Sequence, residues 1–576
     1  MRVLTKLLKF KGYTRGIRYI SDGSKWTKQK EGCPPGVLTS TQDLPPITGV
    51  TLPEFLFQNL HKWENAPALK CAITGRQYTY GEVYKRSRSF AAALKQAGFK
   101  RNDSVCVLLP NIPEYPIVAL GSMQAGCIVS TVNPLYTKDE IAKQVNDCGG
   151  KIVITIPQLV SQVEAARALC PTLTEKTIVV GAEPVSECHS FFEMIKTDAT
   201  GVDFLKGSDI NALEDSCLLP YSSGTTGAPK GVELTHSNLV TNLKQITSEG
   251  YRQTEFFEGG TPQERFLAIL PFFHMYGFHV IMSVGLYQGS LVSCLPKFEP
   301  ELYLKALMDH KPTKLHLVTP IINFLASHPM VPKTALSNTE GVIIGAAPLG
   351  KELITKFLNK FGSHIFLQEG YGMSEVLVTH FIPKEKLNTR AGSCGVLMPG
   401  TTCKIIDLES GKVLGPNESG EICIQGGSVM KGYLNNKKAT EATIDGEKFL
   451  RTGDIGYHDD ELFLYIEDRL KDLIKVKGFQ VAPSELEDVM RKHPDVADVA
   501  VVGVKHERFG EAPRAYIIKK NTNLSEDDIN SFLKPQLAEH KQLVGGIEFV
   551  DAIPKAASGK ILKRQLLADY NSKQKT

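Results

Sequence analysis

Residues 221 to 231 read Tyr-Ser-Ser-Gly-Thr-Thr-Gly-Ala-Pro-Lys-Gly, a run of hydroxyls and glycines closed by one lysine. Gly224 and Gly227 let successive backbone N–H groups point into one concavity, while Ser222, Ser223, Thr225 and Thr226 add hydroxyl donors and Lys230 adds charge. Such a loop suits a polyphosphate, so ATP is the expected nucleotide. It is not a Walker A loop, because only two residues separate the glycines and Gly231 follows the lysine where Ser or Thr would stand. The plain alternative is a Ser/Thr/Gly-rich surface loop, which would have no use for Lys230 or Pro229.

Four further motifs follow in order: Gly345-Ala-Ala-Pro-Leu-Gly350, Gln368-Glu-Gly-Tyr-Gly-Met-Ser-Glu375, Arg451-Thr-Gly-Asp454 with Asp468-Arg469, and Pro554-Lys-Ala-Ala-Ser-Gly-Lys560. Together with the first loop they resemble the adenylate-forming superfamily of acyl-CoA synthetases, most closely the branch of 4-coumarate:CoA ligases and beetle luciferases. The resemblance covers about Thr51 to Leu566. It implies an ATP-dependent ligase that makes an acyl-adenylate from a carboxylic acid, expels pyrophosphate, and passes the acyl group to CoA with release of AMP. The protein's part is to hold anions and stabilise phosphoryl charge with N–H groups, lysines and Mg²⁺.

The resemblance also implies roles. Ser222, Ser223, Gly224, Thr225, Thr226 and Lys230 would handle the β- and γ-phosphates, Ser374 the α-phosphate and Glu375 the Mg²⁺. Glu369, Gly370 and Tyr371 would lie along the adenine and acyl groups, and Asp454 would accept the ribose hydroxyls with Arg469 as a second contact. Lys560 would reach the α-phosphate and the carboxylate during adenylation. Lys471, Lys475, Lys477, Gly478 and Gln480 follow an expected hinge at Asp468 to Lys471; Lys477 and Gly478, with Lys297, would meet CoA after a domain rotation. His274, in Phe272-Phe-His-Met-Tyr276, would read as a core histidine if taken alone; the resemblance makes it the residue that orients the carboxylate.

Tyr276, Val280, Ile321, Gly345 and Gly372 match acyl-pocket positions and bring no cation, which disfavours dicarboxylates and amino acids. Medium- or long-chain fatty acids and arylpropenoates such as 4-coumarate both remain. A luciferase-type monooxygenase would use the same residues as far as the adenylate. A non-catalytic lipid-binding scaffold would not need Lys230, Glu375, Asp454 and Lys560 together.

The elements that must hold these residues are legible as short apolar runs, among them Ser104 to Leu109, Cys217 to Tyr221, Arg265 to Leu270, Leu291 to Cys294 and Gly341 to Ile344. Helical periods such as Tyr80 to Ala97 and Pro300 to Asp309 lie between them. This alternation predicts an α/β protein with parallel sheets covered on both faces. Beyond Ala391, closely spaced strands predict a small β-rich unit, and from about Arg469 a lysine-dense segment mixes strands and helices. The expected organisation is two parallel-sheet subdomains plus the β-rich unit over residues 50–468, then a small mobile α+β domain over 469–576.

Composition limits the alternatives. The chain has 576 residues, 42% of them hydrophobic, and a net charge of only +4, with its basic residues dispersed, which excludes a nucleic-acid binding stripe. Twelve cysteines show no metal-ligand or disulfide spacing. No apolar stretch is long enough to span a membrane, and a monomer or homodimer is expected. Before Asp22 there is no acidic residue, while Arg2, Lys6, Lys9, Lys11, Arg15 and Arg18 recur among apolar residues, so residues 1–35 read as a mitochondrial transit peptide and linker. The alternative is a basic arm on a cytoplasmic protein. Folding is expected to start near Val50, after a Pro/Thr/Gly-rich linker from Gly36 to Thr48.

Overall fold

The computed structural model describes residues 25–576 apart from 45–46, 48, 201–209, 223–228, 259, 346–348, 388–389, 477–478, 507, 557–558 and 575–576; the side chains of Phe479 and Gln480 also lie outside the description. Strands Ser104–Val107, Ile128–Thr131 and Gly150–Thr155 are almost wholly buried β-branched runs that pair in parallel, as strands covered on both faces must. They form the centre of an eight-stranded sheet that reaches Ser216–Ser222, Lys230–Thr235 and Gly432–Tyr433 at one side. A nine-stranded sheet holds Gly341–Ile344, Lys314–Leu317, Arg265–Ala268 and Leu291–Cys294 in parallel, with Phe366–Met373 next to Gly341–Ile344. One hydrophobic core joins the two sheets.

The helices between strands are set by local chemistry. Tyr80–Gln96 starts at Thr79, whose hydroxyl and the Glu82 carboxylate close a capping box, and it buries Val83, Phe90 and Leu94 along one face. Pro300–His310 starts with its proline in the first turn, where no N–H is missed.

The β-rich unit is a six-stranded antiparallel sheet, and it begins far earlier in the chain than the sequence suggests. Its order is Thr27–Gln29, Leu38–Ser40, Thr401–Ile406, Gly420–Gly426, Leu450–His458, Leu464–Arg469. Trp26 is buried with its ring edge against Tyr251, the centroids 5.3 Å apart. The folded body therefore starts by Trp26, not near Val50, and part of the expected linker is a strand. The reason is physical: three-residue strands next to Gly and Pro carry no periodicity of their own, and their partners lie at Thr402 and Cys403.

After Arg469 the chain enters a separate five-stranded sheet with helices Pro483–Arg491 and Glu526–Leu533 and its own core. The junction is pinned by the Asp468 carboxylate, which accepts from the Arg469 N–H at 2.7 Å and from the Ser484 N–H and hydroxyl at 2.9 Å. The far end of this unit returns to the large domain. Gly559 has φ +81° and sits so close to Pro320 that a Cβ there would come within 2.9 Å of the ring, so only glycine fits the approach.

Candidate active site

The crevice between the large domain and the C-terminal unit is built on two strands. Phe366–Met373 carries Glu369 and Tyr371, and Leu450–His458 carries Asp454 directly opposite Arg469. The Tyr371 hydroxyl donates to one Asp454 oxygen at 2.8 Å and Arg469 Nε to the other at 2.8 Å. Burial and the nearby Asp454 charge raise the Tyr371 hydroxyl well above its usual range, so it stays a donor. Asp454 is buried and acceptor-only, aimed by a turn in which Gly453 takes φ +68° and donates its N–H to Glu421. Arg451 pairs with the same Glu421, so this first member of the motif frames the turn.

At the phosphate end, Lys230 stands over the Tyr433 ring at 4.8 Å, and the Tyr433 hydroxyl donates to Glu375 Oε1 at 3.0 Å. Glu375 is buried and offers hard carboxylate oxygens, a donor set that suits Mg²⁺. The buried Ser222 hydroxyl has no partner among the described residues, which a ligand would supply. Ser223, Gly224, Thr225 and Thr226 lie outside the described residues. Ser374 is half-buried in the turn that brings the chain back at Leu377, a non-glycine residue with φ +58°. Such backbone is costly and persists where its surroundings hold it.

Glu369 accepts the Leu349 N–H at 3.0 Å, and burial pushes its carboxyl up to about 7 despite that donor. Its neighbour Gly370 backs onto the Phe381 ring.

Lys560 closes the crevice from the C-terminal unit. Enclosure, with the positive Arg469 and Lys471 nearby, lowers its ammonium to about 8 against the opposing pull of Asp454. Lys471 is exposed, yet the protein packed around it and the positive Arg469 still lower it to about 8. His274 opens onto the crevice, where enclosure and the Lys560 charge lower it to about 4; its Nδ1 accepts the Tyr276 N–H at 3.2 Å. At neutral pH it is an uncharged group. Asp454, Arg469, Lys471, Lys560 and His274 thus share one electrostatic neighbourhood drawn from both domains.

The acyl side is apolar. The Tyr276 hydroxyl donates to the Ile343 carbonyl at 2.9 Å, and its ring lies where a Cβ on Gly345 would meet it at 2.9 Å. Val280 lines a narrow cavity with Ile246, Phe266, Val284, His316 and Ile343. Ile321 is buried on the helix Thr319–Ser327, next to the Pro320 that Gly559 touches, and a Cβ on Gly372 would strike the Leu377 carbonyl at 2.2 Å.

The residues assigned to CoA, and the others that follow the expected hinge, stand apart. Lys297 is exposed and paired with Glu299, and Lys475 opposes Gln480 on the hairpin Ile474–Val476 and Phe479–Val481 of the C-terminal sheet. Lys477 and Gly478 lie outside the described residues.

Tyr433 is the residue that sequence reasoning missed. Its signal is only spatial: the strand Gly432–Tyr433 pairs with Val232 and Glu233, just after Lys230.

Comparison with known proteins fits this geometry. A model of the AMP-binding enzymes matches residues 56–434, and one of the AMP-binding enzyme C-terminal domain matches residues 485–560. The chain belongs to the AMP-binding enzyme family. It is 39% identical to 4-coumarate–CoA ligase 1 of Arabidopsis thaliana over 531 residues, covering 90% of this chain and 92% of that one. It is 38% identical to a 4-coumarate–CoA ligase of Vanilla planifolia, with 90% and 93% covered. Among solved structures, the anthranilate CoA ligase AuaEII in complex with anthranoyl-AMP superposes with a TM-score of 0.81 at 25% identity, covering 92% and 99%. ATP-bound MatB from Rhodopseudomonas palustris gives 0.79 at 27% identity, covering 91% and 99%. This AMP-binding enzyme is an AMP-forming acid–thiol ligase that uses ATP and CoA. No described helix is long and apolar enough to cross a membrane.

Proposed function

We propose that the acid activated is an apolar monocarboxylate, either an arylpropenoate or a medium- to long-chain fatty acid, and that the two half-reactions use different residues. In the first, a carboxylate oxygen attacks the α-phosphorus, the bond to the bridging oxygen breaks, and pyrophosphate leaves. Asp454, held by Tyr371 and Arg469, receives the ribose hydroxyls. Lys560 faces the α-phosphate and the carboxylate, Ser374 donates to the phosphate, and neutral His274 orients the acid. Lys230 and the loop from Ser222 to Thr226 hold the β- and γ-phosphates. Glu375, oriented by Tyr433, is the residue that would hold Mg²⁺, which neutralises phosphate charge when bound. In the second step the CoA sulfur attacks the acyl carbon, the bond to the phosphate oxygen breaks, and AMP leaves; Lys297, Lys477 and Gly478 serve the CoA. Lys475 and Gln480 face each other across the hairpin Ile474–Val476 and Phe479–Val481.

One observation carries this reading: Lys560 reaches from the C-terminal unit into the charged neighbourhood of Asp454 and Arg469, beside His274. The apolar lining around Val280 and Tyr276 supports the substrate class. The test is a panel of fatty, arylpropenoic, dicarboxylic and amino acids, followed by pyrophosphate release with and without CoA. Turnover confined to dicarboxylates or amino acids would overturn it.

We also propose that the basic leader directs the chain to mitochondria. A tagged full-length chain should co-localise with mitochondria and a chain lacking residues 1–24 should not; equal distribution of both would end that proposal.

A further inference from the structure

Behind the nucleoside wall, three strands converge on a group of side chains that adenylation does not use. His380 lies in Leu377–Phe381, directly across the ladder from Tyr371. His458 ends the strand that carries Asp454, and Cys403 lies in Thr401–Ile406. All three are buried, at 0%, 3% and 0% exposure. The Nε2 atoms of the two histidines face each other at 3.5 Å, and one ring nitrogen of each histidine and Cys403 Sγ all lie within 4.8 Å of one another.

A nitrogen pair at 3.5 Å is a poor hydrogen bond. It is close to the edge of a tetrahedron whose centre lies about 2.0 to 2.1 Å from each nitrogen, an edge of roughly 3.3 Å. His380 Nδ1 is within 3.1 Å of the Thr379 hydroxyl. Donation there leaves the Nε2 lone pair pointing inward, the arrangement seen when a second ring nitrogen orients a metal-bound imidazole. Among the described residues, Cys403 Sγ makes a single long contact, 3.8 Å to the Lys404 carbonyl. The neighbouring Cys423 does not join the group, because it packs into a different cluster, with Val37 and Phe449.

We propose that His380, His458 and Cys403 form a zinc site, with a water or other small ligand completing the tetrahedron. Binding releases the Cys403 thiol proton to solvent, so the thiolate offsets half of the ion's charge. The ion ties together three strands, one of which presents Asp454 to the nucleoside and another of which pairs with the strand that carries Tyr371. It lies behind the wall that carries Tyr371, whose ring is 6.0 Å from that of His380, and acts by holding that wall in place.

The test uses the full-length chain. After exposure to zinc and gel filtration, elemental analysis should find about one zinc per chain. The cobalt-loaded protein should show a near-ultraviolet thiolate-to-metal band. Cys403→Ser and His458→Gln should each abolish zinc retention and that band, while Cys423→Ser keeps both. Adding zinc to the metal-free chain should raise Tm and tighten AMP binding several-fold, measured without Mg²⁺, in the wild type and not in Cys403→Ser. Failure of the wild type to retain zinc or show the band overturns the proposal. So does a band that survives both Cys403→Ser and His458→Gln. If Cys403→Ser does not fold, His458→Gln and the Cys423→Ser control decide the matter.

Discussion

The crevice and the hairpin of the C-terminal unit both gather lysines, yet they hold them under opposite conditions. Lys560 is enclosed and lowered to about 8, whereas Lys475 of the hairpin stands exposed, as does Lys297 of the large domain, beside a carboxylate. An enclosed ammonium exerts a strong, poorly screened field, but its charge is easily lost. An exposed one keeps its charge and is screened by salt. The first condition suits stabilisation of charge that develops on a phosphorus, and the second suits capture of a diffusing polyanionic thiol such as CoA.

The sharpest way to break this contrast is to remove one lysine from each place. Lys560→Ala should slow acyl-adenylate formation about 100- to 1,000-fold, the scale of losing one preorganised donor, and leave thioester formation from supplied acyl-adenylate little changed. Lys477→Ala should do the reverse to a smaller degree. Equal losses in both half-reactions for both variants would erase the distinction. In the free enzyme the adenylation rate should also fall as pH rises through about 8, where Lys560 loses its charge, and that fall should vanish in Lys560→Ala.

Glu369 tests enclosure through stability. Its folded carboxyl titrates near 7 and its unfolded one near 4.5, so both states are protonated below that lower value. As pH rises between the two, the unfolded chain ionises first and the fold loses stability, by about 3 kcal/mol in all. Glu369→Gln should flatten this decline, read as Tm against pH; an unchanged slope would show that the carboxyl is not held protonated.

Asp454→Ala should weaken AMP binding by about 1.5 to 3 kcal/mol in calorimetry, because a charged acceptor is lost while Tyr371 and Arg469 remain. Unchanged affinity would reduce Thr452-Gly453-Asp454 to a turn. The smallest effect is expected for Tyr433→Phe, which deletes the hydrogen bond to Glu375 and should raise the Mg²⁺ concentration needed for half-maximal adenylation, at a cost of about 0.5 to 1.5 kcal/mol. A Lys230 effect without a Tyr433 effect would separate the two.

Much of this was readable beforehand where the physics is local. Leu291–Cys294 and Gly341–Ile344 coincide with their apolar runs residue for residue, since strands covered on both faces show as unbroken hydrophobic segments. Asp454, Arg469 and Lys560 were picked out by motif order, and the fold brings them together from two domains. What escaped reading depends on distant partners. Thr27–Gln29 and Leu38–Ser40 exist because Thr401–Ile406 has an open edge, and Tyr433 matters because its strand borders Lys230. The group of His380, Cys403 and His458 is invisible in spacing for the same reason, each residue arriving on a different strand.

The edge pairing of Leu38 with Cys403 also sets a timetable for synthesis. The ribosome must extrude nearly the whole large domain before the first strands find their seat, so until then the hairpin of Thr27–Gln29 and Leu38–Ser40 travels with one edge open. Nascent chains of this protein therefore carry an open strand edge at Leu38–Ser40 through most of translation, an invitation to chaperones that ends only when Thr401–Ile406 emerges.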